Sequence, residues 1–331
     1  MTTAAMYLLD RRAYEEIYGE RERAEIAELA EVVGPPQTAE SVREVPELLS
    51  RVEVLLSGWR LPRLDAAFLA GAPRLRAVFY GAGSIRGFVT DALWERGIRV
   101  STAAAVNAIP VSEYTLAVIL FSLKHGWRLA AETRRAHTFV SRTGPHGAFE
   151  STVGLISLGS VGRLVRERLR PFELRVLAHD PLVRPEEATE LGVELGSLTD
   201  VFERSDVVSC HAPLLESTRG MITGAHVASM RHGAAFVNTA RGGVVREAEL
   251  IEVLRARPDL QAVLDVTNPE PPEPGSPLYS LPNVVLTPHI AGSLGPERRR
   301  LGRAVVEELR NYVSGRPLRW EVTRERVMTM A

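Results

Sequence analysis

The sequence predicts an α/β protein made of two Rossmann-like domains, each a doubly wound parallel sheet. Short apolar runs recur along the 331 residues and alternate with segments of helical spacing. A parallel sheet that is covered by helices on both sides requires strands of this kind, apolar on both faces. The chain is also too long for one hydrophobic core, because single cores stop growing near ~250–300 residues. Two doubly wound domains account for both observations.

Eight of the apolar runs are predicted to be strands, since each is short and bounded by polar or turn-forming residues. They are Val54–Ser57, Ala77–Tyr80, 152–158, Arg175–His179, Val207–Cys210, Ala235–Asn238, 262–266 and 284–287. No internal repeat or low-complexity tract interrupts them.

Two amphipathic segments, 110–124 and 296–313, are predicted to be helices that cross between the domains, because their apolar residues recur at helical spacing. If the block between them is one Rossmann domain, the two chain ends must combine into the other. We therefore predict a discontinuous domain of residues 1–105 plus 293–331 and a continuous domain of residues 106–292. A simple split into N-terminal and C-terminal halves is the alternative.

Composition and charge exclude several classes of protein. The chain is 45% hydrophobic and 24% charged, as is usual for soluble globular proteins. A net charge of −1 gives no indication of a nucleic-acid or membrane partner. The longest uninterrupted apolar run, at about 115–123, is shorter than the ~20 residues of a membrane span. The apolar patch at residues 4–9 lacks a signal-peptide cleavage pattern, so we expect a mature cytoplasmic protein.

Cys210 is the single cysteine. A disulfide within the chain is therefore impossible, and a metal site with two closely spaced cysteines is excluded. Both facts fit a reducing compartment. We predict no metal site.

A glycine-rich turn follows the predicted strand at 152–158. The sequence runs from Ser157 through Leu158 to Gly159, Ser160, Val161 and Gly162. Glycines in such a turn let the backbone approach a pyrophosphate, whose charge lies at the helix N-terminus. Ser157 occupies the place of the usual first glycine, so the fingerprint is imperfect. A plain tight turn between strand and helix is the alternative interpretation.

An acidic residue, Asp180, ends the next predicted strand about 20 residues further on, as it does in dinucleotide-binding domains. A carboxylate there accepts hydrogen bonds from the adenosine ribose diol and repels a 2′-phosphate, so NAD is favoured over NADP. Arg184 lies nearby in the sequence and can pair with a 2′-phosphate, so NADP is the alternative cofactor. The alternative interpretation is that Asp180 only caps a loop or helix.

Three later segments place polar residues directly after apolar runs. They read FVNTARGGVV at 236–245, LDVTNPEP at 264–271 and LTPHIAG at 286–292. Because the carboxyl ends of parallel strands share one edge of a sheet, Arg241, Glu270 and His289 can converge there. Taken singly, each has another interpretation, as a surface arginine, a solvated glutamate or a core histidine.

These three residue types suit the reduction of a 2-oxo acid, which needs a hydride on the carbonyl carbon and a proton on its oxygen. Histidine is the natural proton donor near neutral pH. A carboxylate beside it favours the imidazolium and fixes its orientation. A guanidinium holds the substrate carboxylate through paired hydrogen bonds.

The motifs resemble those of the D-isomer-specific 2-hydroxyacid dehydrogenase family, which includes glyoxylate/hydroxypyruvate reductases and phosphoglycerate dehydrogenases. NTARG at 238–242 and TPHIAG at 287–292 are the most specific, and HAPL at 211–214 and YGAGSI at 80–85 add to them. The resemblance extends from about residue 54 to residue 315. It implies a substrate domain made from both chain ends and a homodimer formed through the cofactor domain.

The resemblance also implies roles for individual residues. Arg241 would bind the substrate, and Glu270 would orient and charge His289, the general acid/base. The backbone at Ala82 and Gly83 would take the substrate carboxylate.

The cofactor, NAD by this resemblance, would be held by residues from several loops. Ser160, Val161 and Asp180 would hold the pyrophosphate and ribose, and Asp265 would meet the nicotinamide carboxamide. The full predicted set is Gly159, Ser160, Val161, Gly162, Asp180, His211, Pro213, Thr218, Thr239, Ala240, Asp265, His289, Ala291 and Gly292.

Several positions depart from the family pattern. Ser157 replaces a glycine, and the segment 245–247 reads Val-Arg-Glu where the family usually has Val-Asp-Glu. At the substrate mouth, 84–87 reads Ser-Ile-Arg-Gly in place of Val-Asp-Asn-Ile. The tail at 316–331 matches no pattern that we recognise. These departures leave the substrate open, and Trp59 and Tyr80 are candidates either for pocket walls or for core.

The sequence therefore predicts an NAD-dependent oxidoreductase that acts on a small D-2-hydroxy acid or 2-oxo acid. One alternative is a non-catalytic NAD(H)-binding sensor, like the corepressors that share this fold. The other is a phosphite-type dehydrogenase of the same fold. A formate enzyme is disfavoured, because formate enzymes of the family lack the Glu–His pair, whereas this chain has Glu270 for that pair with His289.

Overall fold

A computed structural model describes residues 2–144 and 147–330. The chain divides into two compact units, Met1–Asn107 with Ser293–Ala331, and Ala108–Gly292. Parts of the predicted domain ranges, namely residues 1, 145–146 and 331, lie outside the described residues.

The described residues contain thirteen strands. They are β1 (Ala4–Leu8), β2 (Glu31–Val32), β3 (Val54–Ser57), β4 (Ala77–Tyr80), β5 (Arg99–Thr102), β6 (Thr152–Ile156), β7 (Arg175–His179), β8 (Glu194–Leu195), β9 (Val207–Cys210), β10 (Ala235–Asn238), β11 (Gln261–Leu264), β12 (Val284–Leu286) and β13 (Glu321–Val322).

The described residues also contain fourteen α-helices. They are α1 (Arg11–Ile17), α2 (Glu20–Leu29), α3 (Pro46–Arg51), α4 (Ala66–Gly71), α5 (Asp91–Glu95), α6 (Ala104–Leu123), α7 (Gly126–Ala136), α8 (Ser160–Leu169), α9 (Pro185–Leu191), α10 (Leu198–Arg204), α11 (Gly224–Ala228), α12 (Glu247–Ala256), α13 (Arg298–Val313) and α14 (Arg324–Val327). Short 3₁₀ turns occupy Ser41–Glu44, Gly242–Val244, Pro277–Tyr279 and Gly295–Glu297.

The first unit contains a six-stranded sheet in the order β13-β5-β4-β3-β1-β2. All neighbours pair in parallel except β13, which adds an antiparallel edge strand to β5. Successive residues of β3 pack in different hydrophobic clusters. Leu55 lies in the cluster on one face of the sheet, and Val54 and Leu56 lie in the cluster on the other. The sheet is therefore covered on both sides.

The second unit contains a seven-stranded parallel sheet in the order β12-β11-β10-β9-β6-β7-β8. The strand order reverses between β6 and β9, which is the switch point where open α/β sheets bind ligands. Val207 and Val208 enter different hydrophobic clusters, so this sheet is also packed on both faces. The predicted fold class, two Rossmann-like parallel-sheet units, is confirmed.

Strand prediction was accurate within about two residues for the eight runs and missed the other strands. The N-terminal apolar patch is strand β1, whose five residues are all buried in the first sheet. The prediction of a strand to residue 158 was too long, because Ser157 adopts a φ of 75°, outside the extended region. Strands β2, β8 and β13 have only two residues each, too few to show a periodic pattern.

The first crossing helix, α6, begins at Ala104, six residues before the predicted start, and Pro110 lies inside it. By length and composition α6 could span a membrane, contrary to the expectation from the uninterrupted apolar run at 115–123. This is weak evidence, since buried helices of globular cores meet the same criterion. The second crossing helix, α13, begins at Arg298 after the 3₁₀ turn.

The tail after α13 is an integral part of the first unit. The buried carboxylate of Glu308 accepts hydrogen bonds from the backbone N–H groups of Arg319 and Trp320, at 2.8 and 3.2 Å. Arg99 forks onto Glu321 at 2.7 and 2.8 Å, next to the pairing of β13 with β5. The tail matched no sequence pattern, and its described part, residues 316–330, adds strand β13 to the sheet.

Candidate active site

The glycine-rich turn of the second unit joins β6 to the ten-residue helix α8. Gly159 caps the helix, and Ser160 and Val161 form its first turn, where backbone N–H groups favour an anion. A Cβ on Gly162 would lie 2.1 Å from the carbonyl oxygen of Ser157, so only glycine fits there. Ser157 itself adopts the left-handed conformation, which costs a non-glycine residue about 1–2 kcal/mol.

Asp180, which directly follows β7, lies beside this turn. Its Oδ2 accepts hydrogen bonds from the Leu158 N–H at 2.7 Å and from the Ser157 hydroxyl at 3.3 Å. Its Oδ1 accepts one from the Leu182 N–H at 2.9 Å. The predicted ribose carboxylate is thus oriented by the turn, and the serine that departs from the family pattern contacts it.

His211 lies in the loop after β9, and its backbone N–H donates to the Ile156 carbonyl at 2.8 Å. Its Nε2 lies 3.1 Å from the Ser209 hydroxyl, while its Nδ1 is buried without a partner among the described residues. Burial lowers the pKa of His211 to about 3. The ring is therefore neutral and lies against Gly162, at the start of α8.

Thr218 closes the loop that follows. Its hydroxyl donates to the Pro213 carbonyl at 2.5 Å and accepts from the Leu215 N–H at 2.8 Å. Thr218 was predicted to contact the cofactor, and in the structure its hydroxyl holds the loop that carries Pro213.

The loop that presents Arg241 is folded by Asn238, the buried last residue of β10. The Asn238 side chain accepts from the Ala240 N–H at 3.0 Å and donates to the Arg241 carbonyl at 3.2 Å. The Thr239 hydroxyl lies 3.1 Å from that of Thr115 on α6. Asn238 was absent from the predicted site, although it is the first residue of the NTARG motif.

Close backbone packing joins this loop to the one after β11. A Cβ on Gly242 would lie 2.0 Å from the carbonyl carbon of Thr267, so the loops meet at a point where only glycine fits. Arg241, next to this contact, donates from Nη1 to the Ala240 carbonyl at 2.7 Å. Burial lowers the pKa of Arg241 from its ordinary value, and the charge of Glu270 opposes that effect. Glu270 therefore acts electrostatically on Arg241.

Glu270 also contacts His289 directly, with 2.7 Å between Glu270 Oε1 and His289 Nδ1. Both side chains are about half exposed, at 43% and 48%. His289 adopts a left-handed φ of 53°, and its N–H donates to the Asp265 carbonyl at 3.0 Å. The structure thus brings Arg241, Glu270 and His289 together at the carboxyl edge of the second sheet.

The side chain of Asp265 holds the loop around this histidine. Its buried Oδ1 accepts from the Thr287 hydroxyl at 2.6 Å and from the Ile290 N–H at 2.9 Å, and its Oδ2 accepts from the Ala291 N–H at 2.9 Å. Because Thr287 donates to the carboxylate, the Tyr114 hydroxyl at 2.9 Å must donate to Thr287. The carboxylate predicted to meet a nicotinamide carboxamide therefore already anchors the loop that ends at Gly292, the last residue of this unit.

The predicted substrate-carboxylate residues, Ala82 and Gly83, belong to the first unit, in the loop after β4. Their carbonyl oxygens both accept from the Thr102 hydroxyl, at 2.8 and 2.6 Å. Tyr80 is 7% exposed and packs on Phe88 within a hydrophobic cluster, so of its two interpretations the structure favours core.

The ring of Trp59 is partly buried against both hydrophobic clusters of the first unit. The Arg298 guanidinium lies 5.0 Å from the centre of that ring, within the range of a cation–π interaction. Among the described residues, no group of three His, Cys, Asp or Glu side chains is arranged to hold a metal ion.

Comparison with known proteins gives one family. The NAD binding domain of the D-isomer specific 2-hydroxyacid dehydrogenases matches residues 116–291. D-3-phosphoglycerate dehydrogenase of Archaeoglobus fulgidus is 33% identical over 85% of this chain and 52% of its own length. Hydroxypyruvate reductase of Thermotoga maritima is 36% identical over 65% of this chain and 70% of its own. The chain spans about half the length of the phosphoglycerate dehydrogenases that it matches.

A solved structure, that of the TT0316 protein from Thermus thermophilus, is similar over the whole chain. Its TM-score is 0.74 at 30% identity, and the alignment covers 96% of this chain and 100% of that one. The similarity therefore includes both parallel-sheet units.

The buried His211 predicts a specific acid sensitivity. Its folded pKa of about 3 lies below its ordinary value of 6.5, so the unfolded chain binds a proton that the folded chain does not. Stability is therefore lost as pH falls from 6.5 towards 3. Between pH 7 and pH 5, the free energy of unfolding measured in urea should fall by about 2 kcal/mol more in the parent than in His211→Gln. The exposed His232→Gln is the matched control, and equal losses in parent and His211→Gln would contradict the prediction.

Proposed function

Since the chain belongs to the D-isomer specific 2-hydroxyacid dehydrogenase family, we propose that it is an NAD-dependent oxidoreductase that interconverts a small 2-oxo acid and its D-2-hydroxy acid. The observation that carries the proposal is the 2.7 Å contact between His289 Nδ1 and Glu270, with Arg241 beside it. A carboxylate paired with histidine and a desolvated guanidinium are the groups that this reaction requires.

The second unit has the features that NAD needs. The first turn of α8 offers free helix N–H groups for a pyrophosphate, and Gly162 allows the backbone to pack closely there. The buried Nδ1 of His211 is unpartnered within the described residues and adds a polar atom beside this turn. Asp180 would hold the ribose diol. When bound, the nicotinamide supplies or accepts the hydride.

The proton would be handled by His289. Its Nδ1 faces Glu270 at 2.7 Å, and this contact fixes the orientation of the ring. We assign the opposite nitrogen, Nε2, as the atom that gives the proton to the carbonyl oxygen in reduction and takes it back in oxidation. In this proposal Glu270 acts through His289 and does not exchange a proton with the substrate.

Arg241 would hold the substrate. Its guanidinium can form two parallel hydrogen bonds to the 2-oxo acid carboxylate or can polarise the carbonyl oxygen. Burial strengthens these interactions, since the lower local dielectric screens them less than water would. From the family resemblance we also propose that the backbone around Ala82 and Gly83 binds a carboxylate of the substrate.

We propose a small 2-oxo acid as the substrate class. Relatives are named phosphoglycerate dehydrogenase and hydroxypyruvate reductase, so glyoxylate, hydroxypyruvate and 3-phosphoglycerate are the first compounds to test. We also propose a cytoplasmic location, with which a single, buried free cysteine is consistent.

The function is tested by NADH oxidation with glyoxylate, hydroxypyruvate and pyruvate, and by NAD reduction with 3-phosphoglycerate. We expect turnover on at least one of them. His289→Ala should lower kcat by about 10²–10⁴-fold, because the proton donor is lost. NADH binding, followed by fluorescence quenching, should stay unchanged in that variant.

The exposed His232→Ala serves as the control and should keep full activity. An unchanged rate in His289→Ala would remove this residue from catalysis. NADH binding by the parent without turnover on the whole panel would instead support the sensor alternative.

The preference for NAD over NADP is proposed to rest on Asp180, whose carboxylate repels a 2′-phosphate. Asp180→Ala should lower the ratio of kcat/KM for NADH to that for NADPH by about tenfold or more, since one repulsive charge is removed and Arg184 remains. The exposed Glu186→Ala controls for the loss of an acid in the same region. A cofactor ratio that is equal in parent and Asp180→Ala would refute the ribose role.

We propose that the protein is a homodimer formed through the second unit. Helix α7 has no buried residue, and Phe139 and Phe149 are 94% and 61% exposed. We assign these exposed side chains to the interface between the two chains, where association would bury them. Light scattering should give twice the chain mass of 36.4 kDa, and Phe139→Ser should shift the protein towards one chain. A monomeric parent would contradict the proposal.

A further inference from the structure

The first unit contains two anchors on the loop at residues 81–87, the substrate loop, that the proposed function does not explain. The first is Arg86, one of the residues that depart from the family pattern. Its Nε donates to the Met330 carbonyl at 3.0 Å and its Nη2 to the Val327 carbonyl at 2.5 Å. A planar guanidinium can bind two carbonyl oxygens at once, which an ammonium group cannot do in the same geometry. Arg86 thus ties the substrate loop to the end of the chain.

The second anchor is Thr102, whose hydroxyl donates to the carbonyls of both Ala82 and Gly83. Thr102 ends β5, and the outer neighbour of β5 is β13 from the C-terminal tail. The Thr102 N–H also donates to the Trp320 carbonyl at 3.3 Å. The tail therefore supports the substrate loop from the side of β5 as well.

Apolar packing links the same two segments. Ile85 and Phe88, at 1% and 2% exposed, lie in one hydrophobic cluster with Val322 and Val327 of the tail. Met330 packs against that cluster from its partly buried position. The tail and the substrate loop thus share a core as well as hydrogen bonds.

The substrate loop needs such support because it is rich in glycine. Gly81, Gly83 and Gly87 lie within seven residues, and a Cβ on Gly83 or Gly87 would meet no atom within 4 Å. Glycine loses more conformational freedom on ordering than any other residue. Without anchors, binding a carboxylate to backbone N–H groups would have to order the loop, and that ordering would weaken binding.

We propose that the C-terminal segment, residues 319–330, positions the substrate loop, and that Arg86 is the positioning residue that connects them. By holding the loop in one conformation, this contact orients the backbone N–H groups around Ala82 and Gly83 towards the substrate carboxylate. The inference rests on the proposed function, which assigns the carboxylate to these two residues. Arg86 touches no reacting atom, so it acts on substrate binding and leaves the chemical step unchanged.

The test compares Arg86→Ala with a chain that ends at Thr323, which lacks the two acceptor carbonyls. Each should raise KM for the 2-oxo acid by about five- to tenfold, since one to two hydrogen bonds that order the loop are lost. The kcat and the KM for NADH should stay within about twofold of the parent. This is expected when the substrate and its transition state lose the same amount of binding energy.

Arg96→Ala is the matched control. Arg96 also donates to backbone carbonyls of the first unit, those of Leu69, Ala72 and Pro73 at 2.6, 3.0 and 3.0 Å, and none of them is in the substrate loop. This variant should lower thermal stability without changing KM. A KM increase in Arg96→Ala equal to that in Arg86→Ala would show general loosening of the unit and overturn the inference.

A double variant, Arg86→Ala in the chain that ends at Thr323, tests whether the two act through one contact. The combined increase in KM should equal that of the truncation alone, because residues that share a contact are not additive. Multiplied effects, or an unchanged KM in either single variant, would contradict the proposal. If Arg86→Ala does not fold, the truncated chain supplies the same comparison.

Hydrogen exchange separates this inference from the proposed function. Amides of the substrate loop should exchange faster in Arg86→Ala and in the truncated chain than in the parent and in Arg96→Ala. A parent that turns over no compound of the panel would refute the proposed function, while the exchange rates would still decide the positioning role. Unchanged exchange in the loop would refute that role whatever the activity.

Discussion

The contact between His289 and Glu270 depends on three loops that leave neighbouring parallel strands at one edge of the second sheet. Strands β10, β11 and β12 lie side by side in this sheet, so the residues that follow them are brought within reach of each other. Gly242 then lets the first two loops touch backbone to backbone. A larger residue there would push Arg241 away from Glu270, so packing at a glycine controls the electrostatics of the site.

Buried or half-buried carboxylates hold the loops of both units in the same manner. Asp265 accepts two backbone N–H groups around the histidine loop, Asp180 accepts two at the glycine turn, and Glu308 accepts two before β13. A hydrogen bond to a charged group contributes about 1.5–3 kcal/mol, more than a neutral one. Each carboxylate therefore fixes a loop that has no secondary structure of its own.

Periodicity predicted the fold well where strands are long enough to show it. The eight apolar runs are strands of the structure, whereas β5 and the two-residue edge strands carry too little pattern to be detected. Strand β1 was detected as an apolar patch and not assigned to the sheet. The apolar spacing predicted a helix from residue 110, but α6 begins six residues earlier, at Ala104, with Pro110 inside it. Local rules of this kind identify an element more reliably than its ends.

The sequence by itself determined the α/β fold class, eight of the strands, the glycine turn and the placement of Arg241, Glu270 and His289 after three of those strands. These features depend on residues that are close together in the chain, so the spacing of residue types is enough to predict them. Only the tertiary structure decided that the Asp265 carboxylate holds the histidine loop, that Asn238 folds the arginine loop and that the C-terminal tail reaches the substrate loop. Such contacts join residues up to 244 positions apart, and hydrogen-bond geometry at that separation exists only once the chain has packed.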